Sequence, residues 1–287
     1  MSQVKSYFSF VKFAHSVFAM PFALLGFFMA IHINEMSFDW MKLIYILFAM
    51  IFARNAAMGF NRYIDRHIDK DNPRTQNREI PAGIINEKSA LIFVIINSLL
   101  FIGVTYFINL LAFALSPVAL LVVLGYSLTK RFTALCHLVL GLGLSLSPIG
   151  AYIAVTGKFN SLWPILISLA VLLWTAGFDI IYALQDDEFD SEKNLKSIPQ
   201  TLGRKKALTL SRFLHFISAI LIVVPGFYMA VSWLYFLGAT IFILLLINQH
   251  RLVKIDNLSK VNLAFFTMNG IASVIFGLLA ILSFYYP

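Results

Sequence analysis

Apolar residues fill the chain in long blocks, and short polar stretches separate them. The blocks run approximately 14–33, 43–62, 90–107, 111–128, 134–156, 163–184, 208–228, 231–249 and 263–286. Crossing a hydrocarbon core takes roughly 20 largely uncharged residues in a helix, so each block predicts one transmembrane helix. Lipid gives the backbone no hydrogen-bond partner, which leaves the helix as the way for such a block to satisfy its own amides. The expected fold class is an all-α integral membrane protein of nine spans, with residues 1–287 forming one membrane-embedded domain. Only the break around Asn109 divides the third block from the fourth. The opening MSQVKSYFSFVKFAHSVFAM joins a basic flank to an apolar run, but no small-residue cleavage site follows, so it reads as a retained first span.

Composition adds scale. Of 287 residues, 60% are hydrophobic and only 13% charged, well outside the range of a water-soluble domain. The single Cys136 excludes intrachain disulfides and a thiolate metal cluster, and reads as a packing residue.

The 22 Lys and Arg are strongly sided when the spans alternate across a bilayer. One face receives Lys5, Lys12, the segment from Arg62 to Lys88, Lys130, Arg131, the segment from Lys193 to Arg212, and Arg251 to Lys260. The other receives Lys42 and Lys158. The first face is therefore expected to be cytoplasmic, with the N-terminus on that side of a bacterial inner membrane. The net charge of +8 follows from this topology, and its spread over several loops argues against a nucleic-acid partner.

The acids show a second pattern on the same face. Of fourteen Asp and Glu, five follow span two (Asp65, Asp69, Asp71, Glu79, Glu87) and six close span six (Asp179, Asp186, Asp187, Glu188, Asp190, Glu192). If span two continues as helix, Asn61, Asp65 and Asp69 lie on one stripe. Asp186 and Asp190 repeat the four-residue spacing, with Asp179 two turns earlier. Paired stripes of hard oxygen ligands suit Mg²⁺, which commonly takes a few carboxylates together with substrate phosphate oxygens. The interleaved Arg62, Arg66, Arg74 and Arg78 suit a diphosphate, because guanidinium forks match phosphate oxygens. The plain alternative for any one of these acids is a solvated helix end.

Inside span two, Arg54 needs an anionic partner. It sits seven residues before Asn61 on the same stripe, where it faces either a substrate carboxylate or phosphate, or Asp179 in a structural ion pair. Tyr126 and Lys130 are four apart in GYSLTKRFT and are placed to converge on phosphate; Lys130 and Arg131 read equally as topological anchors. Tyr182 and Gln185 orient substrate or support packing, and His15 reads as a packing residue. Among the 28 Phe, most pack or face lipid, while some are candidates to line a tunnel and shelter a developing carbocation.

NRYIDRHID, NPRTQNREIPAG (Arg74, Thr75, Arg78), YSLTK and DIIYALQDDEFD with the following KSIP (Ser197) together resemble the UbiA-type membrane prenyltransferases, over the whole chain. That family often has Asp directly after the first Asn, where this chain has Arg62, so one candidate metal ligand is lost. The resemblance implies nine helices around a central cavity, with Asp-rich loops at about 61–88 and 179–207 over its cytoplasmic mouth. It implies Mg²⁺ on Asn61, Asp65, Asp69, Asp186 and Asp190, and a polyprenyl diphosphate held by Arg66, Arg74, Arg78, Tyr126 and Lys130. It further implies a small aromatic acid acceptor gripped by Arg54, with Asp179 taking the ring proton. FAHSVFAMPFALLGF, ARNAAMGFNR and GFDIIYALQD resemble the branch acting on 4-hydroxybenzoate in quinone synthesis. A naphthoate or a futalosine-derived menaquinone precursor stays open as acceptor. An ion-coupled transporter would place its charges nearer the midplane. A CDP-alcohol phosphatidyltransferase would show Asp-Gly and Ala-Arg after Asp65, and neither is present.

Overall fold

A computed structural model of the chain describes residues 3–12 and 18–286, so His15 lies outside the described residues. After a short α1 (Gln3–Phe10) come α2 (Met20–Ile33), α3 (Trp40–Ile64), α4 (Arg66–Asp71), α5 (Glu87–Ile108), α6 (Leu110–Thr129) and α7 (Cys136–Thr156). The chain continues through α8 (Trp163–Ala183), α9 (Asp187–Glu192), α10 (Ile198–Leu202), α11 (Arg204–Gly226) and α12 (Trp233–Leu252). It closes with a π-helical turn, Leu263–Met268, that runs into α13 (Asn269–Leu282). Among the described residues there is no strand, only an isolated bridge between Lys254 and Asn257.

Among the described residues, eight helices are long and apolar enough to cross a membrane: α3, α5, α6, α7, α8, α11, α12 and the π turn with α13. The ninth apolar helix, α2, has 14 residues. Its packing explains its composition. One side of α2 enters a core with α8, α11, α12 and α13 through Phe22, Leu25 and Met29. Its other side enters a core with α3, α5, α6 and α7 through Ala23, Phe27 and Ala30. A helix buried on both faces is apolar all round, as this one is. Gly26 lets it approach α7, because a Cβ there would stand 2.1 Å from the Pro148 carbonyl oxygen.

The short break predicted at Asn109 is an N-cap. Its side chain accepts from the Ala112 N–H (2.8 Å) and donates to the Ile153 and Ala154 carbonyls at the far end of α7.

The expected continuous helix through the first acidic stripe is interrupted: α3 stops at Ile64 and α4 starts at Arg66. The stripe survives, since the Asp65 N–H still donates to the Asn61 carbonyl (3.0 Å) and the Asp69 N–H to the Asp65 carbonyl (2.7 Å). The end of α8 breaks likewise, and the Asp190 N–H donates to the Asp186 carbonyl at 2.7 Å. Two long helices thus end at one level in short acidic turns.

Candidate active site

A cavity of about 1110 Å³ lies between these two helix ends and the helices around them. Its deeper wall is apolar, with Ala112, Leu115, Ala119, Val122 and Leu140. Its mouth carries Asn61, Asp65, Asp69, Asp186 and Asp190.

Asp65 and Asp69 are only 3% and 4% exposed, so each needs a partner. Asp65 takes the Arg131 guanidinium (2.8 Å), Lys130 Nζ (3.6 Å) and Asn61 Nδ2 (3.2 Å). Asp69 takes Arg78 Nη1 on both oxygens, at 2.7 and 2.8 Å. Thr75 Oγ1 donates back to the Asp69 carbonyl (3.1 Å) and closes the loop that brings Arg78 round.

The second acidic segment meets the first. Asp186 accepts from Arg74 through both Nε, at 2.8 Å, and Nη2. It also accepts from Asn72 Nδ2 (3.2 Å), 114 residues away in sequence. Lys193 reaches Asp71 at 2.6 Å, and the Lys196 N–H donates to the Lys130 carbonyl at 2.7 Å. Arg74 Nη1 donates to the Tyr182 hydroxyl (2.9 Å), which gives Tyr182 a place in this network; Gln185 donates to the Tyr182 carbonyl. Asp190 is 8% exposed, and burial pushes its carboxyl above the usual range against the opposing pull of Lys130. Asp187 points elsewhere, to Arg204. Among the described residues no three Asp, Glu, His or Cys side chains converge closely enough to cage a metal unaided.

Below the mouth, Asp179 faces the cavity and contacts His137, with Nδ1 2.7 Å from Oδ2. His137 Nε2 accepts from the Ile198 N–H at 3.2 Å. An imidazole accepting at Nε2 carries its proton on Nδ1, so His137 donates to Asp179. Arg54 also lines the cavity, but it makes no ion pair with Asp179; its Nη1 and Nη2 donate to the Val11 and Lys12 carbonyls beyond α1, both at 2.9 Å. Tyr126 and Lys130 both reach the wall. Arg66 does not. It pairs with Glu87 (2.9 Å), donates to the Tyr63 carbonyl and stacks on the Tyr63 ring, so the structure separates it from the other basic residues expected at the mouth.

Three contributors could not be read from the sequence, and Arg131 stays open there between two roles. Asn72 looks like a turn residue, Lys193 like a topological anchor, and His137 like a lone histidine on an apolar helix. The signal for His137 is positional, since it opens α7 directly beside the end of the YSLTKR segment.

An all-helical bundle with two acidic helix ends set over one apolar cavity defines an integral membrane enzyme. The chain belongs to the UbiA prenyltransferase family, which matches residues 19–271. It is 30% identical over 239 residues to a 4-hydroxybenzoate octaprenyltransferase of Aliivibrio fischeri (strain MJ11), covering 83% of this chain and 82% of that one. Among solved structures it resembles an apo UbiA homolog from Aeropyrum pernix K1, with a TM-score of 0.84 and 29% identity over 93% of this chain and 97% of the other. A UbiA homolog from Archaeoglobus fulgidus bound to DMAPP and Mg²⁺ shares the fold, with a TM-score of 0.74 and 19% identity over 98% and 100% of the two chains.

Proposed function

We propose that this protein transfers a polyprenyl group from polyprenyl diphosphate to a small aromatic acid, with 4-hydroxybenzoate the expected acceptor, in the synthesis of a membrane quinone. The observation that carries the reading is the meeting of the two acidic segments at Asp186, which Asn72 and Arg74 hold from across the mouth. The names of the relatives support the same substrates.

The donor set fits Mg²⁺: an amide and four carboxylates, all hard oxygen ligands, facing one cavity. Because among the described residues no three acidic side chains cage a cation by themselves, the remaining positions suit phosphate oxygens of the substrate. Asn61, Asp65, Asp69, Asp186 and Asp190 would hold the ion, which supplies charge neutralisation of the departing diphosphate when bound.

This chain's own residues do the rest. Arg74, Arg78, Lys130 and Arg131 keep the carboxylates from repelling one another, and pair with diphosphate oxygens when those carboxylates are otherwise engaged. Tyr126 adds a donor on the wall. The apolar depth accepts the isoprenoid tail, whose exposure to water would cost about 0.8 kcal/mol per CH₂. As the prenyl carbon–oxygen bond breaks and a carbon–carbon bond forms to the ring, the ring proton leaves to Asp179, which His137 orients. Arg54 stands deeper on the wall, where it grips the acceptor's carboxylate while fixing α1. The sidedness of Lys and Arg supports a mouth opening to the cytoplasm from a bacterial inner membrane, with the whole chain acting as one unit.

The test is purified protein with geranyl diphosphate, Mg²⁺ and a panel of aromatic acids and naphthoates, analysed by mass. A prenylated 4-hydroxybenzoate that disappears with EDTA is the expected product. Absence of any prenylated aromatic product would refute the proposal.

A further inference from the structure

Arg62 is 4% exposed, yet it lines the cavity. Its Nε and Nη1 are buried and have no hydrogen-bond partner. Four other cationic groups on this wall are already engaged: Arg74 by Asp186, Arg78 by Asp69, Lys130 by Asp65, and Arg54 by two carbonyls. The acids around Arg62 do not take it either. Both oxygens of Asp69 are on Arg78. Glu79 accepts from Ser9 at 2.6 Å through Oε1, and its buried Oε2 is unpartnered as well. A buried guanidinium with unmade hydrogen bonds is costly, and its planar fork is shaped for phosphate or carboxylate oxygens.

Position selects between those two. Arg62 follows Asn61 directly and stands eight residues after Arg54 on α3. At about 1.5 Å per residue that places it roughly 12 Å above Arg54 along the helix, level with the acidic mouth. The acceptor's carboxylate belongs to the deeper level.

We infer that Arg62 is a preformed, cation-independent anchor for the substrate diphosphate, its guanidinium donating to phosphate oxygens. This rests on the reading that the diphosphate occupies this mouth. Arg74, Arg78 and Lys130 must leave carboxylates before they can take phosphate. Arg62 has no side-chain partner to leave, so it binds the anion without prior exchange. In this chain a guanidinium thus does the work of charge compensation at a position next to the metal-binding stripe.

The experiment uses the full-length protein in detergent with EDTA, titrated with inorganic pyrophosphate or, separately, with 4-hydroxybenzoate, and followed by thermal shift. Wild type should be stabilised by pyrophosphate. Arg62→Gln should weaken that binding about tenfold or more, since hydrogen bonds to charged groups are strong. Its response to 4-hydroxybenzoate should be unchanged. Where prenyl transfer is measured, Arg62→Gln should raise the prenyl diphosphate KM about tenfold and leave the acceptor KM alone. Arg62→Lys keeps the charge but not the fork and should fall several-fold short, which serves if the Gln variant does not fold. No pyrophosphate response of wild type in EDTA, undiminished binding in both variants, or a loss confined to 4-hydroxybenzoate would each overturn the inference. The EDTA titration stands even if no aromatic acceptor is prenylated, so the two readings fail separately.

Discussion

His137 holds two partners at once, Asp179 through Nδ1 and the Ile198 N–H through Nε2, and a substitution can keep one without the other. An Asn at 137 places an amide donor near the Nδ1 position, while Gln reaches further toward the Nε2 position. If His137 serves the reaction by aiming Asp179, His137→Asn should keep most of the kcat and His137→Gln should lose about 10²-fold, the usual scale for a displaced acid–base group. Substrate KM values should move little in either. The reverse ranking would show that His137 matters only by tying down α10. Asp190 offers a test by pH. Burial raises its carboxyl above the usual range, so it keeps a proton where ordinary aspartates have lost theirs, and a divalent cation must displace that proton. Apparent Mn²⁺ affinity in the presence of pyrophosphate should therefore fall as pH drops through the acid range, beginning above the range in which ordinary aspartates protonate, and Asp190→Asn should flatten that part of the dependence. An equally steep profile in that variant would remove Asp190 from the site.

The height at which His137 meets Asp179 is set by how α7 lies on α8. A Cβ on Gly141 would come within 2.3 Å of the Leu172 carbonyl oxygen, so glycine is required at this crossing, one turn from His137. Gly141→Leu should cost about 1–3 kcal/mol of stability through overpacking and lower kcat by separating the dyad. A variant with wild-type melting temperature and turnover would show that the crossing tolerates a side chain. The spanning helices were legible in the sequence because lipid demands long apolar runs, and even the one-residue break at Asn109 could be located. The interruptions at Asp65 and at Leu184–Asp186 were not, because the four-residue spacing of the acids is the same whether or not the helix is continuous. The truncated length of α2 was hidden too, since a helix buried between two cores is as apolar as one facing lipid. Of the site, the acids and Arg74 and Arg78 could be read from spacing and charge. The partners of Arg54, Arg66 and Asp179 could not, because they are fixed by neighbours distant in sequence: the segment after α1, Glu87 and His137.

Across the whole molecule, α2 joins two helical groups, each contributing one acidic helix end to a shared mouth. The proposed prenyl transfer requires those two ends to act as one site for a divalent cation and a diphosphate. A double-mutant cycle reads this directly, with Mn²⁺ binding in the presence of pyrophosphate followed by electron paramagnetic resonance for wild type, Asp69→Asn, Asp190→Asn and the double variant. A shared site predicts that each single change weakens binding about tenfold or more and that the double change adds little beyond either, since coupled residues are not additive. Losses that simply add, or full binding retained after either single change, would contradict it.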